Sequence, residues 1–352
     1  MTKPEFDPNE AAGEDSGIFG LPFSAETAAI HLIPVPWEPT VSYGGGTSEG
    51  PELILNASKQ VDLFDLETHK AYEVGYYMEP ISTEIATLSR DTKAKAQKII
   101  QSPGQTGGHQ ESLLRDVNDA GDRLNRWLYE KTRALLAKGK IVGVIGGDHS
   151  SPLGALQAFH EKYAGELGVL HIDAHADLRN SYEGFTWSHA SIMYNLMTGE
   201  HRPKRLVQVG IRDFCEEEFD FIKARKDICT YFDLNLKRRI IEGETWKNLC
   251  IEIVSHLPDK VYVSFDIDGL DPTLCPNTGT PVPGGLSFEQ ALTLLRALHE
   301  SKRTIVGFDL NEVSGGLTRA EWNGNVGARM LYKMCGWTAV TNQLYSPPAP
   351  TV

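Results

Sequence analysis

Long apolar runs are missing from this sequence: no stretch approaches the length that would span a bilayer. The opening residues, MTKPEFDPNEAAGEDSG, are acidic and hold no apolar core, so a secretory signal peptide is not expected. Cysteine is scarce and scattered. Cys215, Cys229, Cys250, Cys275 and Cys335 are odd in number and form no CxxC pair, which argues against both a disulfide framework and a zinc ribbon. Basic residues are also short: 34 Lys and Arg against 47 Asp and Glu leave a formal charge of −13. Nucleic acid and anionic membrane surfaces are therefore poor partners, since both demand a basic face. The expectation is a soluble cytoplasmic protein with reduced thiols.

What is present is an ordinary globular balance over 352 residues, 41% apolar and 23% charged, enough to bury a sizeable core. Residues 1–25 lack periodicity and are rich in Pro, Gly, Asp and Glu, so they are expected to form a flexible or loosely docked arm. Residues 26–352 show no convincing boundary or repeat and are taken as one domain. Six short runs are almost continuously apolar, as strands covered on both faces must be: 29–35, 140–146, 167–173, 205–211, 261–268 and 304–310. Helical patterns fall between them at about 113–138, 151–165, 216–227, 285–300 and 323–336. Pro51 and Pro152 sit where a first helical turn tolerates proline. The polar stretch 83–110 ends in PGQTGG, expected to be a loop or lid. The alternation predicts an α/β domain on a mostly parallel sheet.

Three of the predicted strands end in clustered ligands: Asp148 and His149 in GVIGGDHS; Asp173, His175 and Asp177 in HIDAHAD; Asp266, Asp268 and Asp271 in SFDIDGLDP. Parallel sheets bind ligands beyond their carboxyl ends, so these tips can converge. Alternate residues of a strand share a face, which would point Asp173, His175 and Asp177 the same way, and Asp266 with Asp268. Taken singly, Asp148 or Asp173 reads as a helix cap or turn residue, His149 as a structural histidine, and FDIDGLDP as an Asp/Gly turn. Together, so many carboxylates would repel and resist burial unless cations were present. Two divalent ions sharing carboxylates suit the donor count better than one. Oxygen-rich, thiolate-free ligation with two imidazoles fits Mn²⁺, and also Ni²⁺, Co²⁺ or Fe²⁺. Such a pair would deliver hydroxide near neutral pH.

GGDHS, DAHAD and SFDIDGLDP, in that order, resemble the signatures of the ureohydrolase superfamily, which includes arginases and agmatinases. SYGGGTSEGP (42–51), TGTPVPGG (278–285) and GFDLNEV (307–313) extend the likeness over roughly residues 28–340. The resemblance implies a three-layer α/β/α sandwich on a parallel, eight-stranded sheet, assembled as a homotrimer or homohexamer. It also implies a binuclear metal centre that hydrolyses guanidinium compounds. By motif, His149 and Asp177 would hold one ion and His175 and Asp268 the other, with Asp173 and Asp266 bridging. Asp148 would support the ligand beside it. His189 in WSHAS falls at the family's proton-shuttling histidine, with a plain helix-start histidine as the alternative. Glu312 matches the glutamate that grips the guanidinium, a pairing that planar bidentate geometry favours. Asp309 reads as structural. Thr278 and Thr280 would contact the substrate or simply shape the turn.

The loop after the second motif, LRNSYEGFTWSHAS, carries Tyr182, Phe185 and Trp187 where arginases have a polar loop for the amino-acid head. Aromatic bulk there would shrink the pocket or offer cation–π faces, unless the rings face the core or a subunit interface. The family's E-x-N-P turn appears as Glu312-Val313-Ser314-Gly315. With the long arm and WNGNVGARMLYKMCGW near the end, these departures look more like the nickel-dependent bacterial guanidine hydrolase branch. Trp322 is a candidate for closing a small pocket. The leading expectation is hydrolysis of free guanidine, or a small substituted guanidine or biguanide, with agmatine as runner-up. A metal-binding assembly subunit without catalysis is the alternative from another class, although all six ligand positions are intact.

Overall fold

The computed structural model describes residues 6–13, 16–104, 107–316 and 320–348. Eight strands form one sheet: β1 (Ile30–Val35), β2 (Tyr76–Met78), β3 (Ile141–Gly146), β4 (Leu167–Ile172), β5 (Arg205–Ile211), β6 (Ile228–Phe232), β7 (Lys260–Asp266) and β8 (Thr304–Asn311). Their order is β2-β1-β3-β8-β7-β4-β5-β6, and every pairing is parallel. The six longest strands are those expected from the apolar runs. The two short ones, β2 and β6, lie at the edges, where half-solvated strands lack the continuous apolar signal.

Among the described residues, ten helices cover the sheet: α1 (Gly50–Ser58), α2 (Thr83–Ile100), α3 (Gly108–Ala137), α4 (Leu153–Lys162), α5 (Ile192–Thr198), α6 (Glu216–Ala224), α7 (Asp233–Ile241), α8 (Trp246–Ser255), α9 (Phe288–Glu300) and α10 (Ala320–Thr341). One core cluster joins α1, α7, α8, α9 and α10 to one face of the sheet, and a second joins α2 to α6 to the other. This is the expected three-layer sandwich. Among the described residues, no helix is long and apolar enough to cross a membrane.

Two expectations need correction. The polar stretch from residue 83 is mostly helix: α2 starts at an N-cap where Ser82 accepts the Ile85 amide (3.3 Å). Its buried stripe is Ile85, Ser89, Thr92 and Ala96, helically spaced but half hydroxylic, so an apolar count overlooks it. Of PGQTGG, residues 105–106 lie outside the described residues, and Gly108 already opens α3. From Ser16 onward, the segment expected as an arm is seated on the body. Ile18, Phe19 and Leu21 are buried, Phe19 meets Tyr332 edge-on, and the Phe19 amide donates to Ser58 Oγ (3.0 Å).

The sheet's centre is packed without slack. A Cβ placed on Gly307 of β8 would stand 2.1 Å from the Phe159 ring of α4. Gly307→Ala is therefore expected to cost about 1–3 kcal/mol of stability by overpacking, checked by chemical unfolding. An unchanged midpoint would contradict this packing.

Candidate metal centre

β3, β8, β7 and β4 are neighbours in that order, so their carboxyl ends form one continuous row at the middle of the sheet. Each tip is turned by its own side chains. After β3, the chain passes so close to Trp37 that a Cβ on Gly147 would be 1.8 Å from the Trp37 carbonyl oxygen, and only glycine fits. Asp148 Oδ1 then accepts the Ser150 amide (3.0 Å), a turn that swings His149 inward. After β4, Asp173 Oδ1 accepts the His175 amide (2.6 Å). At β7, Asp266 Oδ1 accepts the Asp268 amide (2.8 Å) and caps a short 3₁₀ turn.

The side chains meet in two overlapping sets. His149 Nδ1 lies 2.8 Å from Asp173 Oδ2, 3.3 Å from Asp177 Oδ2 and 3.3 Å from Asp266 Oδ2. His175 Nδ1 lies 3.1 Å from Asp268 Oδ2 and 3.5 Å from Asp173 Oδ1. Asp173 thus gives one oxygen to each set. All six side chains are buried except His175, which is 23% exposed and marks the open side. Behind His149, Nε2 faces Ser264 Oγ (2.9 Å), and that hydroxyl donates to Asp309 Oδ1 (3.0 Å). This chain keeps the proton on Nε2 and frees Nδ1 for a cation.

The donor chemistry fits divalent cations. Among the described residues, no Lys or Arg pairs with these carboxylates, and their ion-pair partners are imidazoles. Burial, with Asp268 and Asp173 beside it, pushes the Asp266 carboxyl well above the usual range. Burial and Asp173 raise Asp177 to about 6. Burial opposes charge on His149, yet the hydrogen bonds to Asp173, Asp177 and Asp266 hold its pKa well above normal. His175 is likewise lifted to about 12 against burial by Asp268 and Asp173. Asp173, despite burial, is held well below the carboxylate range by His171 and His149. Protons on the ring nitrogens do the neutralising that metal ions would do.

His171 was not among the expected site residues, although the alternation that aligned Asp173, His175 and Asp177 also aligns it. Its Nε2 lies 2.8 Å from Asp173 Oδ2, and its Nδ1 is 3.0 Å from Gln208 Nε2. It forms a four-residue donor group with His149, Asp173 and Asp177. Glu218 is a second unanticipated residue: its carboxylate accepts the Leu178 amide (3.0 Å) and the Cys215 amide (2.8 Å), pinning the chain just after Asp177.

Glu312 follows β8 at φ 64°, a left-handed conformation costly for a residue with a side chain. Its Oε1 accepts the His149 amide (2.9 Å), while the buried Oε2 has no hydrogen-bond partner among the described residues. Burial and Asp148 push its carboxyl well above the ordinary value; Asp148 itself is raised to about 7 by burial, the bonds to Ser150 pulling the other way. A Cβ on Gly279 would approach Glu312 Oε2 to 2.7 Å, so the TGTP turn lies directly on this carboxylate. Thr278 is buried there with its hydroxyl unpartnered. His189 opens a 3₁₀ turn ahead of α5, and burial, then His175 and His149, lower its pKa to about 4.

The aromatic loop divides. Tyr182 stands edge-on to His189 (ring centroids 6.0 Å) with Arg179 over its face (5.3 Å). Phe185 is buried against Ala96 and Val117 of α2 and α3. Trp187 is stacked over Gly121 of α3, where an added Cβ would be 2.6 Å from its ring. Trp187 is thus a docking residue for the loop. Trp322 is 45% exposed on the first turn of α10, and no described ring or hydrogen-bond contact ties it to the cluster.

A buried set of imidazoles and carboxylates at the carboxyl ends of a parallel sheet defines a divalent-metal hydrolase. The chain belongs to the arginase family, whose model matches residues 28–336; it is a metal-dependent hydrolase of guanidino C–N bonds. It is 34% identical over 312 residues to the N(1)-aminopropylagmatine ureohydrolase of Thermus thermophilus, covering 88% of this chain and 90% of that protein. It is 36% identical over 220 residues to the agmatinase of Proteus mirabilis, covering 62% and 65%. The fold matches the agmatine ureohydrolase of Thermoplasma volcanium with a TM-score of 0.70 at 22% identity, covering 94% of this chain and 97% of that one. It also matches the proclavaminate amidino hydrolase of Streptomyces clavuligerus with a TM-score of 0.72 at 21% identity, covering 94% and 99%.

The electrostatics predict a pH signature for the chelated protein. Because His149 and His175 have higher pKa values folded than unfolded, their contribution is complete below about pH 6.5 and drains away as pH rises toward the folded values. Chelated protein should lose thermal stability between about pH 6.5 and 9, whereas reconstituted protein should hold or gain it, since ions displace those protons. Parallel melting curves with and without Mn²⁺ check this; a chelated protein more stable at the higher pH would contradict it.

Proposed function

We propose that this protein hydrolyses free guanidine, or guanidine with a small substituent such as a small biguanide, to a urea-type product and ammonia or an amine. The observation that carries this reading is Glu312: a buried carboxylate on a strained backbone, with one oxygen unpartnered beneath the TGTP turn. A flat cation with paired N–H donors satisfies that oxygen as few other ligands can. The burial of Glu312, Thr278 and five of the six candidate ligands favours a small substrate over a long-tailed one.

In this reading His149, Asp173, Asp177 and Asp266 would hold one ion, and His175, Asp268 and Asp173 the other. Nickel and manganese both accept this donor set. When bound, such ions would supply Lewis acidity toward the substrate and an acidified water. Glu312 holds the guanidinium planar and aims its carbon at the cluster, with Thr278 Oγ1 as an additional acceptor. His189 is neutral near pH 7, so it takes up a proton during attack and passes it to the departing nitrogen. Exchange is assigned to Nε2, because Nδ1 lies 3.5 Å from Ser188 Oγ. Tyr182, packed on His189, limits the length of a substituent.

A second reading, agmatine or aminopropylagmatine, is favoured by the names of the similar enzymes from Thermus thermophilus and Proteus mirabilis. Urea and ammonia release from guanidine, methylguanidine, biguanide, agmatine and arginine decides between them, after reconstitution with Ni²⁺ and separately Mn²⁺. Guanidine should have the highest kcat/KM; a clear preference for agmatine would replace the leading reading. Asp268→Ala should lose about one ion per chain and nearly all turnover, measured by metal analysis beside the same assay. Full metal content in that variant would refute the ligand assignment.

A further inference from the structure

Gly44, Gly45 and Gly46 occupy three successive positive-φ conformations (72°, 122° and 93°). Such a run has little conformational preference of its own, and its shape must be imposed from outside. Yet it is pressed onto the pocket. A Cβ on Gly44 would lie 2.8 Å from the Gly279 carbonyl oxygen, and Gly279 in turn covers Glu312 Oε2. A Cβ on Gly46 would lie 2.8 Å from Ser314 Oγ, and that hydroxyl donates to the Gly45 carbonyl (2.8 Å). Backbone rests on backbone from Gly44 to Gly279, and Gly279 rests on the Glu312 carboxylate, so any drift of the glycines moves the cover of the carboxylate.

The anchor sits immediately downstream. Glu38, buried after β1, accepts the Thr47 hydroxyl (3.1 Å) and the Ser48 amide (3.1 Å) on Oε2. Its Oε1 is ion-paired with Lys93 of α2, which lies directly behind Gly45. The Glu38 amide donates to Ser89 Oγ (3.1 Å), one helical turn before Lys93. Among the described residues no candidate metal ligand bonds to this pair; it reaches the pocket through the glycine-rich segment, and the Glu38 charge also acts on Asp148.

We propose that Glu38 and Lys93 are a positioning pair that fixes residues 44–48 over Glu312 and so sets the fit of the guanidinium. This deepens the guanidinium reading above and rests on it. Removing the Lys93 cation leaves Glu38 buried without its partner, and the carboxylate then draws water or turns outward, releasing Thr47 and Ser48. The metal ligands, on other strand tips, are left in place.

The test uses the full chain reconstituted with metal and the guanidino compound that the wild type hydrolyses fastest. Lys93→Met should raise KM by about tenfold or more, with kcat and metal content near wild type, as expected for displaced substrate contacts. Hydrogen–deuterium exchange of peptides covering 44–49 should accelerate, while those covering 141–149 stay unchanged. The double variant Glu38→Gln/Lys93→Met keeps an amide oxygen for Thr47 and Ser48 without a buried charge, and should recover much of the KM. Lower thermal stability with unchanged KM, or unchanged exchange at 44–49, would overturn the proposal. A wild type inactive on every guanidino compound would instead remove the guanidinium reading, and the exchange arm would still decide whether the pair holds the loop.

Discussion

Mutual repulsion among buried carboxylates is the constraint around which this molecule is arranged. Asp173, Asp177, Asp266 and Asp268 are all buried within reach of two imidazoles, without a lysine or arginine among their ion-pair partners in the described residues. An arrangement of this kind is tolerable only with compensating positive charge, and a parallel sheet supplies the place for it. Four neighbouring strands end at one level, and register links Ser264 to Asp309 and Asp266 to Asn311 across β7 and β8. The side chains that orient the cluster therefore arrive on the same strands as the cluster itself.

The cost of that arrangement shows in the backbone. Asp177 and Glu312 both adopt positive φ (55° and 64°), conformations that residues with side chains rarely take. The strain is held by fixed neighbours. Glu218 fastens the chain after Asp177, and the Gly147 carbonyl accepts the Glu312 amide (2.8 Å). Ser314, which stands where the family's usual turn differs, binds the Gly45 carbonyl through its hydroxyl, and its own carbonyl accepts Asn323 of α10 (2.6 Å).

Much of this was legible in the residue order because the strongest signals were local. A run apolar on both faces announces a central strand, and HIDAHAD announces one ligand-bearing face. What escaped had weaker or non-local causes. The stripe of α2 is half serine and threonine, β2 and β6 are edge strands, and α7 and α8 were not anticipated at all. His171 lies one step earlier on the expected row, but only the fold shows that its nitrogen reaches Asp173. Trp187 reads from its place in the loop as a pocket or core residue, and its packing over Gly121 of α3 is visible only in the fold. Glu38 and Lys93, 55 residues apart, leave no motif.

The position of β8 has a consequence for assembly. It is the last strand in the sequence, yet it lies between β3 and β7 in the middle of the sheet. Until it inserts, β2-β1-β3 and β7-β4-β5-β6 are two separate ribbons, and the groups that must meet stand on opposite sides of an open seam. His149 belongs to one ribbon; Asp173 and Asp266 belong to the other. The Glu312 carboxylate that receives the His149 amide comes 163 residues later in the chain. A nascent chain emerging from the ribosome therefore cannot present the complete ion cradle until its final strand has been made. Closure of the seam, a long-range and slow kind of event, is the step that brings these groups together.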